Sequence, residues 1–199
     1  MNNESQTVFR GNAEEISNEL RRSEIGSHLL VEYPDLPTLR EMYSYYTKSA
    51  LYDGNEIVVI LPFYETTDMV RHILSEDSAC LDVRKYEKEQ RLLIMDSLRG
   101  YFGSADGLMP FVKQTVEYGE SSGRNAVTVI SDMGSFFYYC KKDGLIGWEM
   151  KLPCKYEMNL KGFCIYHTRD FKSLSEENKR ELYRHHTRIM HLLPPPTDS

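Results

Sequence analysis

Five short runs of apolar, largely β-branched residues punctuate the chain, at 29–31, 57–61, 92–95, 126–130 and 163–166. Four carry no polar alternation, the pattern of strands covered on both faces in a parallel sheet. The run at 126–130 admits only Thr128, itself a good strand former. The segments between them change period. Leu36, Leu39, Tyr43, Tyr46 and Ala50 recur at three- and four-residue steps, one face of a helix over about 39–51 that Asp53-Gly54-Asn55 stops. Met69, Val70, Ile73 and Leu74 mark a second helix, and Met109, Val112 and Val116 a third that ends in the turn at 121–123. Residues 134–151 read as helical pieces interrupted by Gly144, Gly147 and Pro153. A capping box, Ser173-Leu174-Ser175-Glu176, opens a last helix that continues to about 192, where prolines 194–196 end it. Repeated β–α units of this kind predict an α/β fold, a three-layer α/β/α sandwich with a mostly parallel central sheet and right-handed crossovers.

The turn after the first of these strands carries unusual chemistry. Strand residues 28–33 lead into Pro34-Asp35-Leu36-Pro37-Thr38 and then into the long helix. In a mononucleotide-binding βαβ unit this turn cradles phosphate, with glycines that bring backbone N–H groups close and a lysine that reaches the outer phosphates. Here two prolines lack the N–H and an aspartate repels phosphate. The fold expected is that of a nucleotide binder, without its phosphate loop.

Several segments taken in order resemble the MEDS family, sensory domains of methanogens and methylotrophs that are themselves relatives of the RecA/KaiC fold without a Walker A loop. The matching residues are His28 and Tyr33 with four residues between, and the helix, glycine, polar pair and strand of residues 50–60. Ser131-Asp132-Met133-Gly134-Ser135-Phe136, the helical Trp148-Glu149, and the last core strand, Phe163-Cys164-Ile165-Tyr166, complete the set. The resemblance spans about residues 25–193. It departs from the family at Tyr166-His167, where Tyr-Asp is usual, and in having no helix-turn-helix ahead of the domain, so a complete transcription factor is not expected. It implies a non-enzymatic sensory or signal-transduction domain that binds a small molecule or a signalling protein. The domain organisation expected is an N-terminal arm at 1–24, helical in part and packed on the surface, one domain at 25–193, and a disordered proline-rich tail at 194–199.

Ligands of open α/β sheets bind beyond the carboxyl ends of the strands. That rule nominates Tyr33, Asp35, Phe63, Tyr64, Glu65, Asp96, Arg99, Asp132, Ser135, His167 and Arg169. Asp132 ends an apolar strand, the place of a magnesium-holding aspartate in P-loop NTPases; a helix N-cap is its other reading. Arg99 and Arg169 would clamp an anion or pair with Asp96 and Asp170. Tyr33, Phe63 and Tyr64 would wall an apolar ligand or simply pack. His28 is expected to satisfy a backbone carbonyl and Cys164 to fill core. His185, His186 and His191 with Cys164 and His167 invite a metal reading, but His185 and His186, adjacent on a helix and about 100° apart, do not both face one ion in the i, i+4 manner. No metal or other cofactor is expected. The alternatives to a sensor are a degenerate nucleotide-binding protein that keeps ATP and magnesium, and a ligand-free homo-oligomeric interaction subunit.

Composition narrows the classes further. The chain has 199 residues, 41% hydrophobic and 27% charged, within the globular range. A formal charge of −6 makes nucleic acid an improbable partner, and the basic residues of the last helix are diluted by Glu176, Glu177 and Glu181. No apolar window reaches membrane-span length and no signal-peptide pattern opens the chain, so a cytoplasmic protein is expected. Cys80, Cys140, Cys154 and Cys164 form no C-x-x-C pair. No nucleophile elbow is present, and ATPase or other catalytic activity is disfavoured.

Overall fold

The computed structural model describes residues 8–76, 79–139 and 142–195. The elements run β1 (Val8–Gly11), α1 (Ala13–Arg22), β2 (His28–Tyr33), α2 (Leu36–Tyr52), β3 (Ile57–Leu61), α3 (Thr67–Glu76), α4 (Val83–Lys88), β4 (Leu92–Ile94), α5 (Ser97–Phe102) and α6 (Met109–Ser121). They continue β5 (Val127–Asp132), α7 (Gly134–Tyr138), α8 (Lys142–Glu149), β6 (Leu160–His167), α9 (Thr168–Lys172), α10 (Glu176–His185) and β7 (Arg188–Leu192).

The seven strands form one sheet in the order β1-β7-β2-β6-β5-β3-β4, and every pairing is parallel. The expected α/β/α sandwich is therefore present. Leu29, Val31 and Tyr33 of β2 pack with α1 to α4 on one face, while Leu30 and the alternate residues of β6 pack with α5 to α10 on the other. Burial on both faces explains the unbroken apolar runs.

Two segments differ from the sequence expectation. Residues 8–22, expected on an arm, supply edge strand β1 and helix α1, with Ile16 and Leu20 fully buried. Asn12 caps α1 by accepting from the Glu15 N–H at 3.0 Å while the Glu15 carboxylate accepts from the Asn12 N–H at 2.9 Å. The helix predicted to reach 192 ends at His185. His186 has an extended backbone (ψ 144°), and both Thr187 N–H and Thr187 Oγ1 donate to the His28 carbonyl, at 2.7 and 2.9 Å. Residues 188–192 then enter the sheet between β1 and β2 as β7. A vacant place in the sheet outweighs helix propensity there. Residues 1–7 and 196–199, with most of the expected tail, lie outside the described residues, as does Cys140. Among the described residues no helix is long and apolar enough to cross a membrane.

One polar network crosses the apolar layer beneath α2. Lys161 Nζ donates to Glu56 Oε1 at 2.8 Å, and Tyr46 and Thr128 hydroxyls donate to Glu56 Oε2 at 3.0 and 2.6 Å. Lys161 and Glu56 are both buried. Removing one member leaves the other charge buried and unpaired. Lys161→Met is expected to lower stability by about 3–5 kcal/mol in urea unfolding, and adding Glu56→Gln to recover part of that loss. A simple sum of the two effects would show that the pair is not coupled.

Candidate functional site

The carboxyl ends of the strands hold three places where neighbouring strands send their helices to opposite faces, one between β3 and edge strand β4 and two nearer the middle of the sheet. After β2 the chain turns to α2 on one face, and after its neighbour β6 to α9 on the other. After β3 it turns to α3, and after its neighbour β5 to α7. Crevices open at such reversals. Of the two nearer the middle, the first lies between Tyr33 and His167, the second between Phe63 and Asp132.

At the first reversal the phosphate position is filled from within. The Asp35 carboxylate accepts from the Thr38 N–H at 2.9 Å and from Thr38 Oγ1 at 2.7 Å, capping α2. An anion at this helix end would displace a side chain that already carries negative charge.

The second reversal is joined to the first through Asp132. Tyr33 OH donates to Asp132 Oδ2 at 3.1 Å and the Gly134 N–H donates to Oδ1 at 2.8 Å. Burial pushes the Asp132 carboxyl up to about 7, against the pull of those two donors, and the nearby Asp170 and Glu65 add to the rise. The Tyr33 hydroxyl is pushed far up, first by burial and then by Asp132. Tyr64 donates to Asp170 Oδ2 and packs edge-on against His167, with ring centres 5.9 Å apart. Arg40 Nε donates to Glu65 at 2.6 Å, which neutralises that carboxylate. Of these groups Tyr64, Glu65 and Asp132, with Leu39, Tyr43 and Phe63, wall a narrow recess of about 20 Å³, the room of about one water. Gly134 matters here. A Cβ on it would sit 2.5 Å from Phe63 Cδ1 and 2.6 Å from Tyr64 Cε2, so glycine lets the two rings close over α7.

Tyr33, Phe63, Tyr64, Glu65, Asp132 and His167 of the nominated residues thus converge. Ser135 is buried in α7 beside them. Asp35 serves α2, as described. Arg169 is exposed and lies 3.7 Å from Asp170. Asp96 and Arg99 sit elsewhere: Asp96 caps α5 by accepting from the Arg99 N–H at 3.1 Å, and both line an open groove along edge strand β4. Gly134 stood in a segment quoted for the family resemblance and Tyr43 on the expected helix face, while Arg40 had no signal.

A second cluster lies on the face of α8 and α10. His28 at the start of β2, Glu149 at the end of α8, Cys164 in β6 and His186 after α10 bring their side-chain donor atoms within 4.8 Å of one another, and all four are buried. Burial alone would raise the Glu149 carboxyl, but the His186 and His28 imidazoles and the Tyr166 hydroxyl hold it at about 2. Burial lowers His186 to about 4 in spite of Glu149. His28, Glu149 and Cys164 stand in three of the segments that carry the family resemblance, but local spacing does not bring them together, and His186 leaves the helix on which it was expected. His28 does meet a carbonyl as expected, at Pro153 O.

No family model matches the chain, and no curated protein matches it.

The raised Asp132 value fixes a sign for pH dependence. The folded protein holds a proton that the unfolded chain releases from 3.8 upward, so this group costs stability as pH rises from about 4 to 7, with the full cost present above 7. Asp132→Asn is expected to remove that slope and to exceed the parent in stability at alkaline pH by on the order of 2–4 kcal/mol. Urea midpoints measured across this range check it; parallel pH profiles for the two proteins would refute it.

Proposed function

We propose that this protein is a non-enzymatic sensory domain in which a small uncharged molecule occupies the aromatic recess at the strand ends. The observation that carries this reading is the Asp35 carboxylate seated on the α2 N-terminus, where a nucleotide binder places phosphate. The lining supports a neutral apolar occupant: aromatic and aliphatic walls, one carboxylate paired with Arg40, and an Asp132 carboxyl that burial disposes toward its neutral form. The resemblance to MEDS sensory domains, and through them to the RecA/KaiC fold, points the same way. A cytoplasmic regulator is the corresponding setting.

The signal would travel through the lid. A molecule larger than water must move Phe63 and Tyr64. Phe63 packs against Tyr138 of α7 with ring centres 5.8 Å apart, and Tyr64 is hydrogen-bonded to Asp170 of α9. Opening therefore shifts α7 and α9 together, and a ligand with affinity for the open form alone moves the population. A downstream signalling protein would read those helices.

A second reading has one observation in its favour. The recess is shut by aromatic rings, and Tyr138, Tyr139 and Phe102 stand exposed beside it. That arrangement suits a ligand-free subunit that associates with copies of itself.

Thermal unfolding with ATP and magnesium, and separately with chlorinated methanes, short alcohols and benzene, tests the choice. A ligand at 100 times its Kd contributes about 2.7 kcal/mol, which is roughly 5–10 °C for a domain of this size. A shift with a small organic molecule that Tyr64→Ala alters, and none with ATP, is the expected result. A shift with ATP and magnesium that Asp132→Ala abolishes would replace the sensor by a nucleotide binder. No shift at all, with a mass that grows with concentration, would leave the interaction subunit.

A further inference from the structure

We infer that His28, Glu149, Cys164 and His186 form a closed tetrahedral centre for one divalent transition-metal ion of the zinc type. Four donor-to-donor distances carry the geometry. His28 Nε2 lies 3.3 Å from Cys164 Sγ and 3.5 Å from Glu149 Oε2. His186 Nε2 lies 3.6 Å from Glu149 Oε2, and Cys164 Sγ lies 3.7 Å from the same oxygen. Zinc bonds of about 2.0–2.3 Å in a tetrahedron give edges between ligand atoms of about 3.3–3.8 Å. Four of the six edges match such a polyhedron, and the remaining two, from His186 to Cys164 and to His28, are at most 4.8 Å.

The proton positions point to the same centre. His28 Nδ1 lies 3.2 Å from the Pro153 carbonyl oxygen and His186 Nδ1 2.7 Å from that of Leu182. A carbonyl only accepts, so each Nδ1 carries a proton, and in the neutral imidazole the Nε2 lone pair is turned inward. The inner face then presents two imidazole lone pairs, a carboxylate oxygen and a thiol. With the thiol ionised the set carries two negative charges and binds a dication without leaving net charge in the core.

The supporting shell is complete. Both imidazoles are oriented by backbone carbonyls, and Glu149 Oε1 accepts from the Tyr166 hydroxyl, which leaves Oε2 for the ion. Tyr156 packs against the His28 ring with centres 5.3 Å apart. With four protein donors and no exposed side, the centre has no position for substrate. Its role is to tie β2, β6, the end of α8 and the α10–β7 turn together, so that the fold depends on the ion.

The competing arrangement without metal is a buried ion pair in which one imidazole takes a proton and faces Glu149. Metal analysis of the purified full chain separates the two. The expected result is one zinc per chain, release of the ion by a strong chelator with a large fall in thermal stability, and recovery on adding zinc chloride. Cobalt(II) in its place is expected to give the intense visible bands of tetrahedral coordination and a thiolate charge-transfer band that Cys164→Ser removes. Tyr166→Phe keeps every ligand and should weaken zinc binding about 10–100-fold. That variant answers the question even where His186→Ala fails to fold. A chain that carries no metal, takes up no cobalt and ignores the chelator would overturn the assignment. The recess at the strand ends plays no part in these measurements, so either reading can fail without the other.

Discussion

The parallel register of β2 against β6 is the constraint on which the rest depends. Six residue pairs, from His28 opposite Gly162 to Tyr33 opposite His167, lock the two strands at the centre of the sheet. Because side chains alternate, that register sends Tyr33 and His167 to the carboxyl end beside Asp132, and His28 to the opposite end, on the face that carries Cys164. A slip by one residue would turn every one of these groups to the wrong layer. The Tyr33–Asp132 contact beside the recess and the His28–Cys164 contact of the four-residue cluster thus both follow from this pairing.

The two ends handle buried polarity differently. At the carboxyl end, Asp132 and Asp170 each take a tyrosine hydroxyl, and Glu65 takes an arginine, so the three carboxylates are satisfied internally. Closure there rests on rings over a glycine, and rings can move without breaking backbone hydrogen bonds. At the amino end the groups are enclosed by the sheet, α8 and α10. Rearrangement there would require moving secondary structure. The first arrangement suits a responsive surface and the second a fixed anchor. The Lys161–Glu56 network on the other face is likewise an anchor, with Tyr46 and Thr128 completing the coordination of its carboxylate.

Much of the fold was legible because its signals are local. The unbroken apolar runs of β2 and β3, and that of β5 with Thr128 as its one polar member, announce strands covered on both faces, and the helical spacing from Leu36 to Ala50 announces the first long crossover. The carboxyl-end rule likewise brought Tyr33, Phe63, Tyr64, Asp132 and His167 to one place, because β-strand ends are where crossovers part. The same rule nominated Asp96 and Arg99, which stand at the edge strand, since strand order is not written in any one segment. Residues 188–192 were misread for a related reason: a short stretch with several apolar residues takes helix or strand according to what lies beside it.

By itself the sequence determined the layered α/β architecture and the absence of a phosphate cradle in the turn after β2, since hydrophobic period and turn chemistry act over a few residues. Pro34, Asp35 and Pro37 exclude a Walker-type turn in any tertiary setting. Only the tertiary structure decided that β7 fills the gap between β1 and β2, that glycine at 134 admits two rings, and that His28, Glu149, Cys164 and His186 meet. Those depend on contacts between segments far apart in the chain, where no local spacing records which side chains will share a face.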